Sequence, residues 1–112
     1  MLTKPSLLIP VDDMDPARDF FVAALGAQVK FQDGDRYCAL RLHDLDVALV
    51  GGSEKIVDRP ALTLRSDGLD KDVDGLVDAG ADILAPIETG PHERRTIMSS
   101  AAGIPLILSE KL

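Results

Sequence analysis

Few side chains in this sequence could do chemistry, and their spacing narrows what that chemistry could be. The histidines are His43 and His92, the only cysteine is Cys38, and acids gather at Asp12, Asp13 and Asp15. A divalent metal centre needs three or four converging imidazole, thiolate or carboxylate donors, which two histidines in separate turn-like segments do not supply. Cys38 lacks the accompanying His and Asp pattern of an activated nucleophile and reads as a small buried hydrophobe. The Asp12, Asp13 and Asp15 run could be paired acids, yet acidic residues are favoured by the dipole at a helix entry, which explains them with less. The GGS at 51–53 has neither the lysine nor the spacing of a phosphate loop. His92, in GPHERR beside Arg94 and Arg95, has one functional reading, contact with an anionic or aromatic group, against the simpler one of a solvated loop residue.

Such side chains have to be positioned by a unit that occurs twice. Residues 9–26, IPVDDMDPARDFFVAALG, start as an apolar strand and break at Asp12-Asp13. They then place Ala17, Phe20, Phe21, Ala24 and Leu25 on one helical stripe. Asp15 before Pro16 predicts an N-cap with proline at the first helical position, and Gly26 predicts a left-handed stop. Residues 68–84, GLDKDVDGLVDAGADIL, repeat residues 13–29 in kind: Asp70 takes the place of Asp15, and Gly80-Ala81 that of Gly26-Ala27. Val73, Leu76, Val77 and Gly80 continue the helical spacing from Leu69.

Three apolar or alternating runs follow each copy, so the chain reads as two βαβββ modules. Expected strands are 5–11, 27–32, 36–42, 45–50, 61–66, 81–87, 94–99 and 105–109, with the second helix over about 70–79. The DGD turn at 33–35 signals a hairpin. In the third strand, Cys38, Leu40 and Leu42 form the more apolar face and are expected against the helix, leaving Tyr37, Ala39 and Arg41 on the other. Module one covers about 1–51, an exposed connection about 52–59, and module two about 60–112. Glycines and polar residues in GGSEKIVDR suit that connection, and its length permits the modules to pair within one chain or swap between chains.

At 112 residues the chain suffices for one domain whose modules share a core or pair with another copy. Only 4% of residues are aromatic, so the core must be aliphatic. A net charge of −7 argues against nucleic acid and anionic membrane surfaces, because no surplus of Lys and Arg exists to displace counterions. One cysteine excludes an internal disulfide and suits a reducing compartment, and no segment approaches the ~20 apolar residues of a membrane span. A cytoplasmic location is expected.

The run IPVDDMDPARDFFVAALG resembles the opening of vicinal oxygen chelate proteins, the superfamily of glyoxalase I, extradiol dioxygenases and fosfomycin- and bleomycin-resistance proteins. LTLRSDGLDKDVDGLVDAGADILAPIETG and SSAAGIPLILSE are similar to the family's second module, including Gly103 in the last hairpin. The resemblance implies an α+β fold, two βαβββ modules whose curled mixed sheet forms a cup, commonly completed by dimerisation.

It also implies, for the enzymes of that family, a divalent metal held by His and Glu from the first and last strand of each module. Carried over, those positions fall on Ser6, Ala48, Ala61 and Ile107, none of which is a good ligand. Glu110 could replace Ile107 only from the opposite face of its strand. The expectation is therefore no metal and no cofactor. The parity of these positions puts Leu8, Pro10, Tyr37, Ala39, Arg41, Asp46, Val50, Thr63, Arg65, Pro105 and Ser109 on the inner face, either lining an organic-ligand pocket or packing across a dimer.

From that set the ligand-binding candidates are Tyr37 for stacking, Thr63 and Ser109 for hydrogen bonds, and Arg41, Asp46 and Arg65 for charge, with Arg65 and Asp46 also able to pair with each other. The implied function is metal-free binding of a small organic ligand, such as an antibiotic, in a cleft at a homodimer seam. The alternative is a metal-dependent lyase, isomerase or dioxygenase with displaced ligands.

Overall fold

The computed structural model describes residues 1–112. Its elements run β1 (Leu2–Pro10), α1 (Met14–Leu25), β2 (Gln28–Asp33), β3 (Tyr37–Leu42), β4 (Leu45–Val50), β5 (Ala61–Ser66), α2 (Leu69–Asp78), β6 (Ile83–Thr89), β7 (Glu93–Met98) and β8 (Leu106–Lys111). This is an α+β chain of two βαβββ modules. Hydrogen-bonded neighbours follow the order β2-β3-β4-β1-β5-β8-β7-β6. β1 with β4 and β5 with β8 are parallel, whereas the hairpin partners are antiparallel. The backbone divides into two compact units, Ser6–Pro60 and Met1–Pro5 with Ala61–Leu112, so β1 contributes to both.

In the Ser6–Pro60 unit, alternation decides the core. Leu7, Ile9 and Val11 join Cys38, Leu40 and Leu42, and Val47 and Leu49, on the sheet face that packs Met14, Ala17 and Phe21 of α1. Each fully buried aliphatic side chain contributes on the order of 1.5–3 kcal/mol relative to an exposed one. Cys38 is fully buried, and burial pushes its thiol above the ordinary range, so it stays protonated and packs as an apolar group.

The helix begins earlier than its sequence suggests. Asp13, not Asp15, is the N-cap, and Asp15 and Pro16 are the second and third helical residues. Rotated accordingly, α1 buries Met14, while Phe20 (60% exposed) and Leu25 (43%) face outward and Ala24 is exposed. The expected stripe is thus narrower and displaced one turn toward the N-terminus. Gly26 does end the helix in the left-handed region, at φ 76°.

In the other unit, Leu69, Val73 and Leu76 of α2 pack on Leu64, Met98, Leu106 and Leu108, with Leu2 from β1. That contact explains why β1 starts at Leu2 rather than Pro5: the strand reaches back to fill this core, carrying Pro5 inside it. At the helix exit the Ala81 amide donates to the Leu76 carbonyl at 2.9 Å and the Gly80 amide to that of Val77 at 3.0 Å, with Gly80 at φ 105°. These two bonds form a Schellman motif. They occupy residues expected to open the next strand, so β6 begins at Ile83.

The connection after β4 is not exposed from its start. Gly51 is buried, its amide donates to the Arg36 carbonyl at 2.9 Å, and a Cβ there would overlap the Asp35 carbonyl oxygen. A 3-10 turn spans Gly52–Glu54. Lys55 then reaches the Asp12 carboxylate at 2.7 Å, which holds that acid below the usual carboxylate range.

Candidate functional site

Side chains flanking the buried positions of a strand must point to its other face, which fixes the face each candidate residue occupies in its unit. In Ser6–Pro60, the register sets Arg41 beside Asp46 and Asp46 beside Ser6. It likewise aligns Ala39, Ala48 and Leu8, and then Tyr37, Val50 and Pro10. The inner-face set expected for this half therefore shares one face. β2 adds Phe31, whose ring centroid lies 6.4 Å from that of Tyr37. A bulge between Val29 and Phe31 brings in Lys30 as well.

Charge on this face is largely internal. Arg41 Nη1 lies 2.8 Å from Asp46 Oδ1 and its Nε donates to the His43 carbonyl at 2.9 Å, while Lys30 Nζ sits 3.4 Å from the same aspartate oxygen. The hydrogen bond from Arg41 leads the effects that hold Asp46 below the usual carboxylate range. Within its own unit Asp46 thus pairs with Arg41 and Lys30. Lys30 was missed because only the bulge turns it toward Asp46.

In the second unit, Thr63, Ile107 and Ile97 form one row and Arg65, Ser109 and Arg95 the next, on the face turned away from α2. The opposite face carries structural polar groups. Ser66 Oγ contacts Asp72 at 2.5 Å, and Arg94 engages Asp70 at 3.1 Å and Glu110 at 3.0 Å. Glu110 belongs to that helix side, as its parity predicts. Arg65 and Arg95 are partly buried and form no ion pair.

A hollow of about 270 Å³ opens at the β6–β7 hairpin, lined by Glu88, Gly90, Pro91, His92, Glu93 and Arg95 among others. His92 therefore shares a hollow with Arg95, while Arg94 is committed to the other face. His43 stands exposed in the β3–β4 turn at φ 54°. The alternation of ERRTIM, which separates Arg95 from Arg94, was the signal for Arg95.

The four positions inferred for metal ligands, Ser6, Ala48, Ala61 and Ile107, all lie on the faces turned away from the helices. They present one hydroxyl and three hydrocarbon side chains. No three His, Cys, Asp or Glu side chains are grouped so as to hold a metal ion elsewhere. The residues present do not fit the metal centre that the sequence resemblance implies.

This architecture is a glyoxalase-like fold. The chain superposes on a glyoxalase/bleomycin resistance protein/dioxygenase superfamily member from Vibrio splendidus 12B01 with a TM-score of 0.75 at 18% identity, covering 99% of this chain and 100% of that one. A NAD-dependent benzaldehyde dehydrogenase from Legionella pneumophila gives 0.79 at 12% identity, with 97% and 100% covered. Methylmalonyl-CoA epimerase from Mycobacterium tuberculosis gives 0.67 at 19%, with 99% and 89% covered. No family model and no curated protein matches the sequence. Neighbours with such different activities show a shared scaffold, and function must be argued from the residues it displays. No helix is long and apolar enough to cross a membrane.

Proposed function

We propose that this chain is a metal-independent small-molecule-binding protein on the vicinal oxygen chelate scaffold. The carrying observation is the chemistry at Ser6, Ala48, Ala61 and Ile107: three hydrocarbon side chains and a hydroxyl stand where the fold's enzymes are expected to hold an ion. The faces around them keep the composition of a ligand site, small and apolar residues with sparse polar groups. Tyr37, with Phe31 beside it, offers a stacking surface; Thr63, Arg65 and Ser109 offer hydrogen bonds and positive charge. Arg41 and Asp46 neutralise one another on the face they share with Tyr37. Sequestration of an antibiotic or another organic ligand by a cytoplasmic homodimer is the specific form proposed.

The test pairs elemental analysis with ligand screening. Protein purified without a histidine tag should carry no stoichiometric Zn, Ni, Mn or Fe, and its melting temperature should rise with some member of a panel of antibiotics, aromatic peptides and organic acids. One equivalent of any of these metals overturns the proposal in favour of a lyase, isomerase or dioxygenase. Failure of the whole panel to bind also counts against it. Light scattering at micromolar concentration checks the dimer separately.

A further inference from the structure

Of the seven arginines, Arg18, Arg36, Arg41, Arg59 and Arg94 each pair with an aspartate or glutamate. Arg65 and Arg95 do not, although the chain has 19 acidic residues to draw on. These two are in register with the same residue: Arg65 of β5 and Arg95 of β7 both lie opposite Ser109 of β8. The three form one straight row on one face, with the arginine Cα atoms about 10 Å apart by two strand spacings. Two side chains of that length can converge over the serine hydroxyl between them. A partly buried guanidinium without a partner forgoes some hydration and gains no ion pair, an arrangement that suits an incoming anion. The contrast with Arg94 is direct, since the adjacent arginine on the other face is fully committed to Asp70 and Glu110.

We infer that Arg65, Ser109 and Arg95 form a carboxylate-binding row, so that the ligand of this protein is a small organic acid. This deepens the binding reading above and rests on it. The surrounding charge favours a carboxylate over a phosphate. Glu88 of β6 lies opposite Arg95 of β7, Glu93 lies two residues before Arg95 on the same face, and Lys111 of β8 faces Glu93. Three cations against two carboxylates leave one positive charge in excess, which a monoanion neutralises, whereas a dianion would leave one of its charges uncompensated in a partly buried row beside Glu88 and Glu93. A guanidinium fork accepts a planar carboxylate through two parallel hydrogen bonds, and the Ser109 hydroxyl can add a third. The hollow of about 270 Å³ that Arg95 borders has room for a compact body attached to that carboxylate.

The test uses the full chain at fixed ionic strength. Acetate, propionate, benzoate and phenylacetate are titrated by calorimetry beside benzamide, phenylacetamide and inorganic phosphate. At least one carboxylate should bind saturably, its amide should bind at least tenfold more weakly, and phosphate should be weaker than the carboxylate. Arg65→Gln and Arg95→Gln should each weaken the binding carboxylate at least tenfold, Ser109→Ala a few-fold, and neither arginine variant should lower the melting temperature of the unliganded protein. The inference is overturned if phosphate binds more tightly, if the arginine variants bind unchanged, if they melt well below the parent, or if no carboxylate binds. Binding of neutral aromatics or cationic antibiotics without any carboxylate removes this inference and leaves the binding function standing; a stoichiometric metal removes the function itself.

Discussion

Glu110 Oε2 accepts a hydrogen bond from the Leu69 amide at 3.2 Å, so the first turn of α2 is capped from β8 and not by its own flanking residue. Gly68, at the N-cap, has no side chain for the task. The other oxygen of the same carboxylate holds Arg94 at 3.0 Å. Glu110→Ala removes both bonds and should cost about 1–2 kcal/mol, whereas Glu110→Gln keeps an acceptor for the amide and should lose less. Urea unfolding of the two variants measures this, and equal losses would mean that the ion pair alone matters.

Two glycines should respond to alanine with opposite signs. Gly51→Ala drives a methyl group into the Asp35 carbonyl at a buried turn, and a loss of about 2 kcal/mol or more is expected. Gly75 lies in the exposed interior of α2 with nothing near its missing Cβ, so Gly75→Ala should gain about 0.5–1 kcal/mol. Chemical denaturation midpoints decide both, provided the denaturant slope is unchanged.

Met14 and Leu69 occupy the same place in the two modules, the first helical residue, and both are buried. Each anchors its helix to its own sheet, so Met14→Ala and Leu69→Ala should each lose about 2–4 kcal/mol. Phe20→Ala, on the outward face of α1, should change stability by less than about 1 kcal/mol. A large loss at Phe20 would show that something covers that face in solution, and light scattering on the same variant identifies a second copy.

Duplication made the two-module fold legible: a glycine stop after an amphipathic helix, twice, followed each time by alternating strands. Asp15 and Asp70 do correspond, both as second helical residues. Local signals failed where distant contacts decided. Pro16 looked like the first helical residue, but burial of Met14 against the sheet extends the helix two residues back. Pro5 looked like a strand start, but the core of the second unit draws in Leu2. The shared faces of Tyr37, Arg41 and Asp46, and of Thr63, Arg65 and Ser109, follow period-two alternation counted from the four positions that the family resemblance supplied. What alternation does not encode is pairing across strands. That Arg41 takes Asp46, that Lys30 joins them through a bulge, and that Arg65 shares a row with Arg95 all depend on register, which a single strand's sequence does not carry.

The Arg41–Asp46 pair gives a pH dependence with a definite sign. The folded protein holds the Asp46 carboxyl below its ordinary value, first through the hydrogen bond from Arg41 and then through the charges of Arg41 and Lys30. A depressed acid binds its proton less readily folded than unfolded. Its contribution is therefore fully present above the ordinary aspartate range, near pH 4, and is lost as pH falls through the lower folded value. Asp46→Asn should thus be less stable than the parent at about pH 7, with the difference shrinking toward zero as both are acidified through and below the lowered folded value. Because the side chains are 41% and 44% exposed, the difference should be small and should shrink further in 1 M salt, where the screening length falls to about 3 Å. Melting temperatures of both proteins across that pH range, at low and high salt, provide the check. A difference that persists undiminished at the acid end would mean Asp46 acts through its shape and hydrogen bonds rather than its charge.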